Sequence, residues 1–81
     1  MDPQVKAMVD AWQMSIDAQG NRLKDKAPLE KARAVMAKVH ALAQEHGATM
    51  AAFNTQMQQT NLNNEYAAAL AEMNTAINEG R

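Results

Sequence analysis

From Ala48 to Glu79 the chain contains neither glycine nor proline, and this feature limits the fold more than any other. A breaker-free stretch rich in Ala, Met, Gln and Leu reads as helix. Unbroken, it would be about 48 Å long at about 1.5 Å per residue. Its apolar residues do not keep one face, however. Met50, Phe53 and Met57 share one side at about 100° per residue, whereas Leu62, Tyr66, Leu70, Met73 and Ile77 fall almost diametrically opposite. The change of face falls in QQTNLNNE, where Asn61, Asn63 and Asn64 are weak helix formers and good caps. The pattern therefore predicts either a break at 60–64, giving four short helices in a closed bundle, or a two-faced rod that must associate to bury both sides. The break is the preferred reading, because one chain can then bury all its apolar residues.

Upstream, Asp2-Pro3 marks a helix start, since Asp accepts from free backbone N–H groups and Pro at the first helical position loses no needed donor. Val5, Met8, Val9, Trp12, Ile16, Gln19 and Leu23 then form a stripe, with Lys6, Asp10, Gln13, Asp17 and Lys24 opposite, so this helix is expected over about 3–24. Pro28 opens a second helix over 28–46, striped by Leu29, Ala32, Val35, Met36, Val39, Leu42, Ala43 and His46. Gly47 is expected to end it in a left-handed conformation. Short connections predict that these two helices fold back as an antiparallel hairpin. The expected architecture is all-α and single-domain over 1–81: a helical hairpin plus a long or Asn-broken third helix over 48–79, a three- to four-helix bundle, oligomeric through coiled-coil-like helix packing.

The chain has 81 residues, enough for one domain that removes only roughly 60% of its unfolded surface from water. Trp12, Tyr66 and Phe53 are its only aromatics and it has seven Met, so rigid core anchors are scarce and a partner would add stability. The absence of Cys excludes disulfides, Cys-based zinc sites and thiol catalysis. No apolar run approaches the roughly 18 residues of a membrane span, and MDPQVK has neither part of a secretory signal. A cytoplasmic location is expected, with export by a signal-free route left open. Ser15, Thr49, Thr55, Thr60 and Thr75 stand in no nucleophile motif, and Gly20, Gly47 and Gly80 form no phosphate loop. No enzymatic activity and no cofactor are expected.

Both histidines lie in KVHALAQEHG. His40 and His46 are separated by about 240° on a helix and cannot chelate one ion, and neither follows a Glu at ligand spacing, so no metal is expected. His46, in the last turn of its stripe, suits a C-terminal cap. His40 lies at the edge of the surface, and His40-Ala41-Leu42 resembles the phosphorylated histidine of bacterial phosphotransfer domains, which are helical bundles with an exposed His followed by an apolar residue. That resemblance implies histidine phosphotransfer through His40 as an alternative function. Ala43 and Gln44 stand where that family usually has Lys and small Gly residues. A second alternative is nucleic-acid binding: Arg22, Lys24, Lys26, Lys31, Arg33 and Lys38 concentrate positive charge between Arg22 and Lys38, against only Asp25 and Glu30. A slight overall negative charge and the lack of interleaved aromatics rank it below protein binding. The uneven charge also allows pairing within the chain or between copies.

The leading expectation is helix-mediated association, either self-assembly or capture of a partner helix by an adaptor, small chaperone or assembly subunit. The interface residues expected are Trp12, Met36, Phe53, Met57, Tyr66, Leu70 and Met73. Met side chains adapt to more than one partner. Ala34, Ala37 and Ala41, and Ala67, Ala68 and Ala71, lie away from the stripes and would let another helix approach closely. In size and layout the chain resembles small helical subunits and chaperones of bacterial secretion machines, without the two-proline turn of type III needle subunits.

Overall fold

The computed structural model describes residues 1–81 as four helices and no strands: α1 (Pro3–Gly20), α2 (Ala27–His46), α3 (Met50–Gln59) and α4 (Leu62–Asn78). Local chemistry explains most of the boundaries. At α1 the Gln4 amide donates to Asp2 Oδ1 at 2.7 Å, and at α3 the Ala52 amide donates to Thr49 Oγ1 at 3.1 Å, each satisfying an otherwise free first-turn donor. α4 ends in a glycine cap: Gly80 has φ 76°, and the Arg81 amide donates to the Ala76 carbonyl at 2.8 Å.

The last segment breaks where its apolar stripe changes face, so the continuous rod is not the structure. Asn61 adopts a left-handed conformation with φ 62°, which Asn tolerates better than most residues. Its side chain does not cap the backbone of α4 but accepts from Asn64 Nδ2 at 2.6 Å. Thr60 Oγ1 donates to the Gln56 carbonyl at 2.7 Å and closes the end of α3.

Two other expectations are corrected. The first helix stops at Gly20 rather than near 24, although Leu23 remains buried at 3% exposure. Gly20 is buried against Leu29, whose side chain occupies the space a Cβ would need, and Lys26 Nζ donates to the Gly20 and Leu23 carbonyls at 2.9 and 2.8 Å. The chain therefore turns early, and Leu23 reaches the core from the turn. Gly47 is not left-handed, having φ −83°. Its carbonyl instead accepts from the Asp2 amide at 2.7 Å, tying the end of α2 to the start of α1. A Cβ at Gly47 would run into the Ala43 carbonyl.

α1 and α2 form the expected antiparallel hairpin, with Asp2 meeting Gly47 at one end and Gly20 meeting Leu29 at the other. α4 also runs antiparallel to α2, since Lys31 pairs with Glu72 and Lys38 with Glu65. α1 and α4 are thus parallel, and their trailing ends meet where the Lys24 amide donates to the Arg81 carbonyl at 2.9 Å. α3 is the short connector between the end of α2 and the start of α4, anchored by Phe53 and Met57 at 0% and 1% exposure. One core of 16 residues draws on all four helices, with Ile16, Met36, Phe53, Met57 and Met73 its largest enclosed side chains. Each such side chain contributes about 1.5–3 kcal/mol by leaving water. No polar or charged residue is buried. The fold exposes 4824 Å², close to the ~4,800 Å² that area scaling assigns to a compact chain of this mass. No helix is long and apolar enough to cross a membrane.

Candidate functional site

Charge is distributed over this bundle by face. On α1, Lys6, Asp10 and Asp17 all fall on the side toward α2, where Arg33 Nε meets Asp17 Oδ1 at 3.2 Å. On α4, Glu65 and Glu72 face α2 and pair with Lys38 and Lys31 at 3.2 and 3.0 Å. These are the only charged residues between Ala48 and Asn78. The two seams of α2 therefore hold nearly all the charge of the helical body. The remaining charged groups sit at the chain ends and the α1–α2 turn, apart from Glu30 on the outer side of α2 and Glu45, which lines a cleft with Lys38, Thr60, Leu62 and Glu65.

The opposite side carries no charge. On α1 it exposes Gln4, Ala7, Ala11, Met14, Ser15 and Ala18, and on α4 it exposes Asn63, Ala67, Ala71, Asn74 and Asn78. α3 has no charged residue at all. Along the middle runs a seam of partly buried apolar side chains: Met8 and Trp12 from α1, and Tyr66, Leu70 and Ile77 from α4. Trp12 holds the seam together, stacking on Tyr66 with ring centroids 4.9 Å apart and meeting Phe53 at 6.3 Å. Burial holds the Tyr66 phenol above its ordinary pKa. Met14, at 71% exposure, is the most exposed large apolar residue.

The seven expected interface residues separate into two groups. Met36, Phe53, Met57 and Met73 are at 0–1% exposure inside the chain's own core and hold the bundle together. Trp12, Tyr66 and Leu70 reach the uncharged face. The face itself was not among the sequence expectations, although its signal was present in the one-sided charges of α1 and in the scarcity of charge from Ala48 to Asn78, where only Glu65 and Glu72 occur.

The basic segment is largely occupied internally. Lys31, Arg33 and Lys38 pair with acids of α4 and α1, and Lys26 caps carbonyls. Arg22 and Lys24 alone remain without such partners. His40 is half-buried, with Nε2 3.1 Å from Gln13 Oε1. Gln13 Nε2 donates to Asp17 at 3.3 Å, so its Oε1 is the acceptor and His40 Nε2 the donor. His40 also lines a cleft of about 280 Å³ with Met1, Lys6, Val9, Asp10, Ala43 and Gln44. A phosphoryl group arriving there would meet the Asp10 carboxylate, and the Lys6 ammonium is already paired to that carboxylate at 2.8 Å. That hydrogen bond, with the charge of Asp10, raises the Lys6 pKa. His46 stands in the last turn of α2, and its polar neighbour is Glu45 at 3.7 Å rather than a backbone carbonyl. No group of three His, Asp or Glu side chains is placed to hold a metal ion.

Comparison of the chain with known protein families, with curated proteins and with solved structures finds no match.

Proposed function

We propose that this chain is a non-enzymatic protein–protein interaction module that docks other helices on the uncharged face of α1, α3 and α4. One observation carries the reading: charge is withdrawn from a whole side of the bundle and concentrated on the seams of α2. Depletion of charge around a patch of aromatic and Met side chains is what distinguishes the centre of a protein interface from ordinary surface. An ordinary solvated helix face would carry Lys and Glu as α2 does. Trp12, Tyr66 and Leu70 supply the aromatic and apolar contacts, and Ala7, Ala11, Ala67 and Ala71 permit close approach of a partner backbone. The internally paired bases, and His40 half-buried and held by Gln13 beside the Asp10 carboxylate, favour protein docking over nucleic-acid binding and over phosphotransfer.

Photo-crosslinking in cells that produce the protein tests the reading. A benzophenone side chain at Ala67 on the face should give discrete crosslinked products, whereas the same group at Ala34, on the outer side of α2, should give none. Equal products from both positions, or products from Ala34 alone, would overturn it.

A further inference from the structure

We infer that the occupant of the uncharged face is a second copy of this chain, docked about a twofold axis with α1 of one copy antiparallel to α1 of the other. This rests on the docking reading above and adds the identity and geometry of the partner.

Charge complementarity is the first argument. A twofold interface sets one patch against itself, so every charge on it must find its complement within the same patch. A face with no charge meets that condition automatically. To a charged foreign surface it offers no ion pair, and it leaves the foreign charges desolvated without compensation. The surface that suits this face is another uncharged one of mixed large and small side chains, and the face itself is of that kind. Met14 projects at 71% exposure, while Ala11, Ala18, Ala67 and Ala71 are low points on the same side.

Area is the second argument. α1 has 18 residues and is about 27 Å long, and with a neighbouring helix about 10 Å away the face measures roughly 27 by 20 Å. Two copies would bury about 1,000 Å² in total, the lower limit for a specific interface. One foreign helix of the same length would cover about half as much. The occupant must therefore present two adjacent helices, as a second copy does, and at this area the dimer it forms is reversible.

The antiparallel arrangement follows from α1 and α4 being parallel. Arg22, Lys24, Lys26 and Arg81 all lie at their common trailing end, against Asp25 and Glu79. A parallel dimer would set two such basic ends together and align the helix dipoles. The antiparallel dimer separates the ends and opposes the dipoles. It brings Ala11, near the middle of α1, close to its mate, and leaves Ala18 far from its own.

The purified chain, followed by sedimentation equilibrium from about 10 μM to about 1 mM, should pass from monomer to dimer. Ala67→Glu should weaken the dimer at least about tenfold by placing an unpaired charge in it, and Ala34→Glu should leave it unchanged, with far-UV circular dichroism confirming that both variants fold. The chain has no native Cys, so under mild oxidation Ala11→Cys should form disulfide dimers much faster than Ala18→Cys. A wild-type chain still monomeric at about 1 mM overturns the second copy, and crosslinks from Ala67 to a foreign protein would then leave the docking reading standing. A dimer weakened by Ala34→Glu and not by Ala67→Glu overturns both. Faster crosslinking at Ala18→Cys overturns the antiparallel arrangement.

Discussion

Asn61 offers a test of the fold whose two outcomes differ in sign. In the structure its φ is 62° and ψ 14°, a conformation that costs a residue with a Cβ about 1–2 kcal/mol and glycine nothing. Asn61→Gly removes that cost, and the greater freedom of Gly in the unfolded chain returns about 0.4–1 kcal/mol. Asn61→Ala retains the steric cost. Both variants lose the bond from Asn64 Nδ2, so that loss cancels between them. The Gly variant should be the more stable by about 1 kcal/mol. Were residues 48–79 one continuous helix, position 61 would be interior and Ala would be ahead by about 1 kcal/mol. For a domain of this size the difference corresponds to about 4–8 °C in Tm. Thermal melts of dilute samples, followed at 222 nm and by Trp12 fluorescence, read it directly. An Ala variant that melts above the Gly variant would refute the broken helix and the bundle built on it.

Two further outcomes follow from the packing around Trp12. Tyr66 is the only tyrosine and burial raises its pKa above 10.0, so its absorbance at 295 nm should titrate above pH 10.0 in the folded chain and near it in urea. Because the folded state resists ionisation, the associated stability is fully present below pH 10 and is lost as pH rises through the folded pKa; coincident folded and unfolded titrations would contradict the stacked, half-buried ring. Phe53→Ala should cost about 3–5 kcal/mol, a large share of the roughly 4–12 kcal/mol available to a chain of this length. With ten residues, α3 is shorter than the ~12–15 that hold a helix alone, so its amides should lose exchange protection. A loss below about 1 kcal/mol with α3 still protected would show that Phe53 does not anchor it.

The internal ion pairs contribute more to the character of the surface than to stability. Lys31–Glu72, Lys38–Glu65 and Arg33–Asp17 are all substantially exposed, and such pairs are each worth about 0–1 kcal/mol. Helical register sets the acids of α1 and α4 on the side toward α2, where these pairs form, and so leaves the far side of both helices uncharged.

The sequence by itself determined the helical class and most helix starts, and it located the change of apolar face at 60–64 while leaving a break and a two-faced rod both open. Asp2-Pro3, Pro28, Thr49 and Asn61 act within one turn of backbone, through caps, a preset φ or a tolerated left-handed conformation, and need no distant neighbour. Stripe membership was also local, because it depends only on about 100° per residue. What the tertiary structure decided depends on contacts across the chain. Leu29 seated on Gly20 and Lys26 on its carbonyl ended α1 early, and the Asp2 amide on the Gly47 carbonyl closed α2 without a left-handed residue. Met36, Phe53, Met57 and Met73 became core while Trp12, Tyr66 and Leu70 stayed at the surface. Residues of one stripe have the same periodicity whether they meet a neighbouring helix or water, and only the placement of that neighbour, two or three helices away along the chain, separates the two.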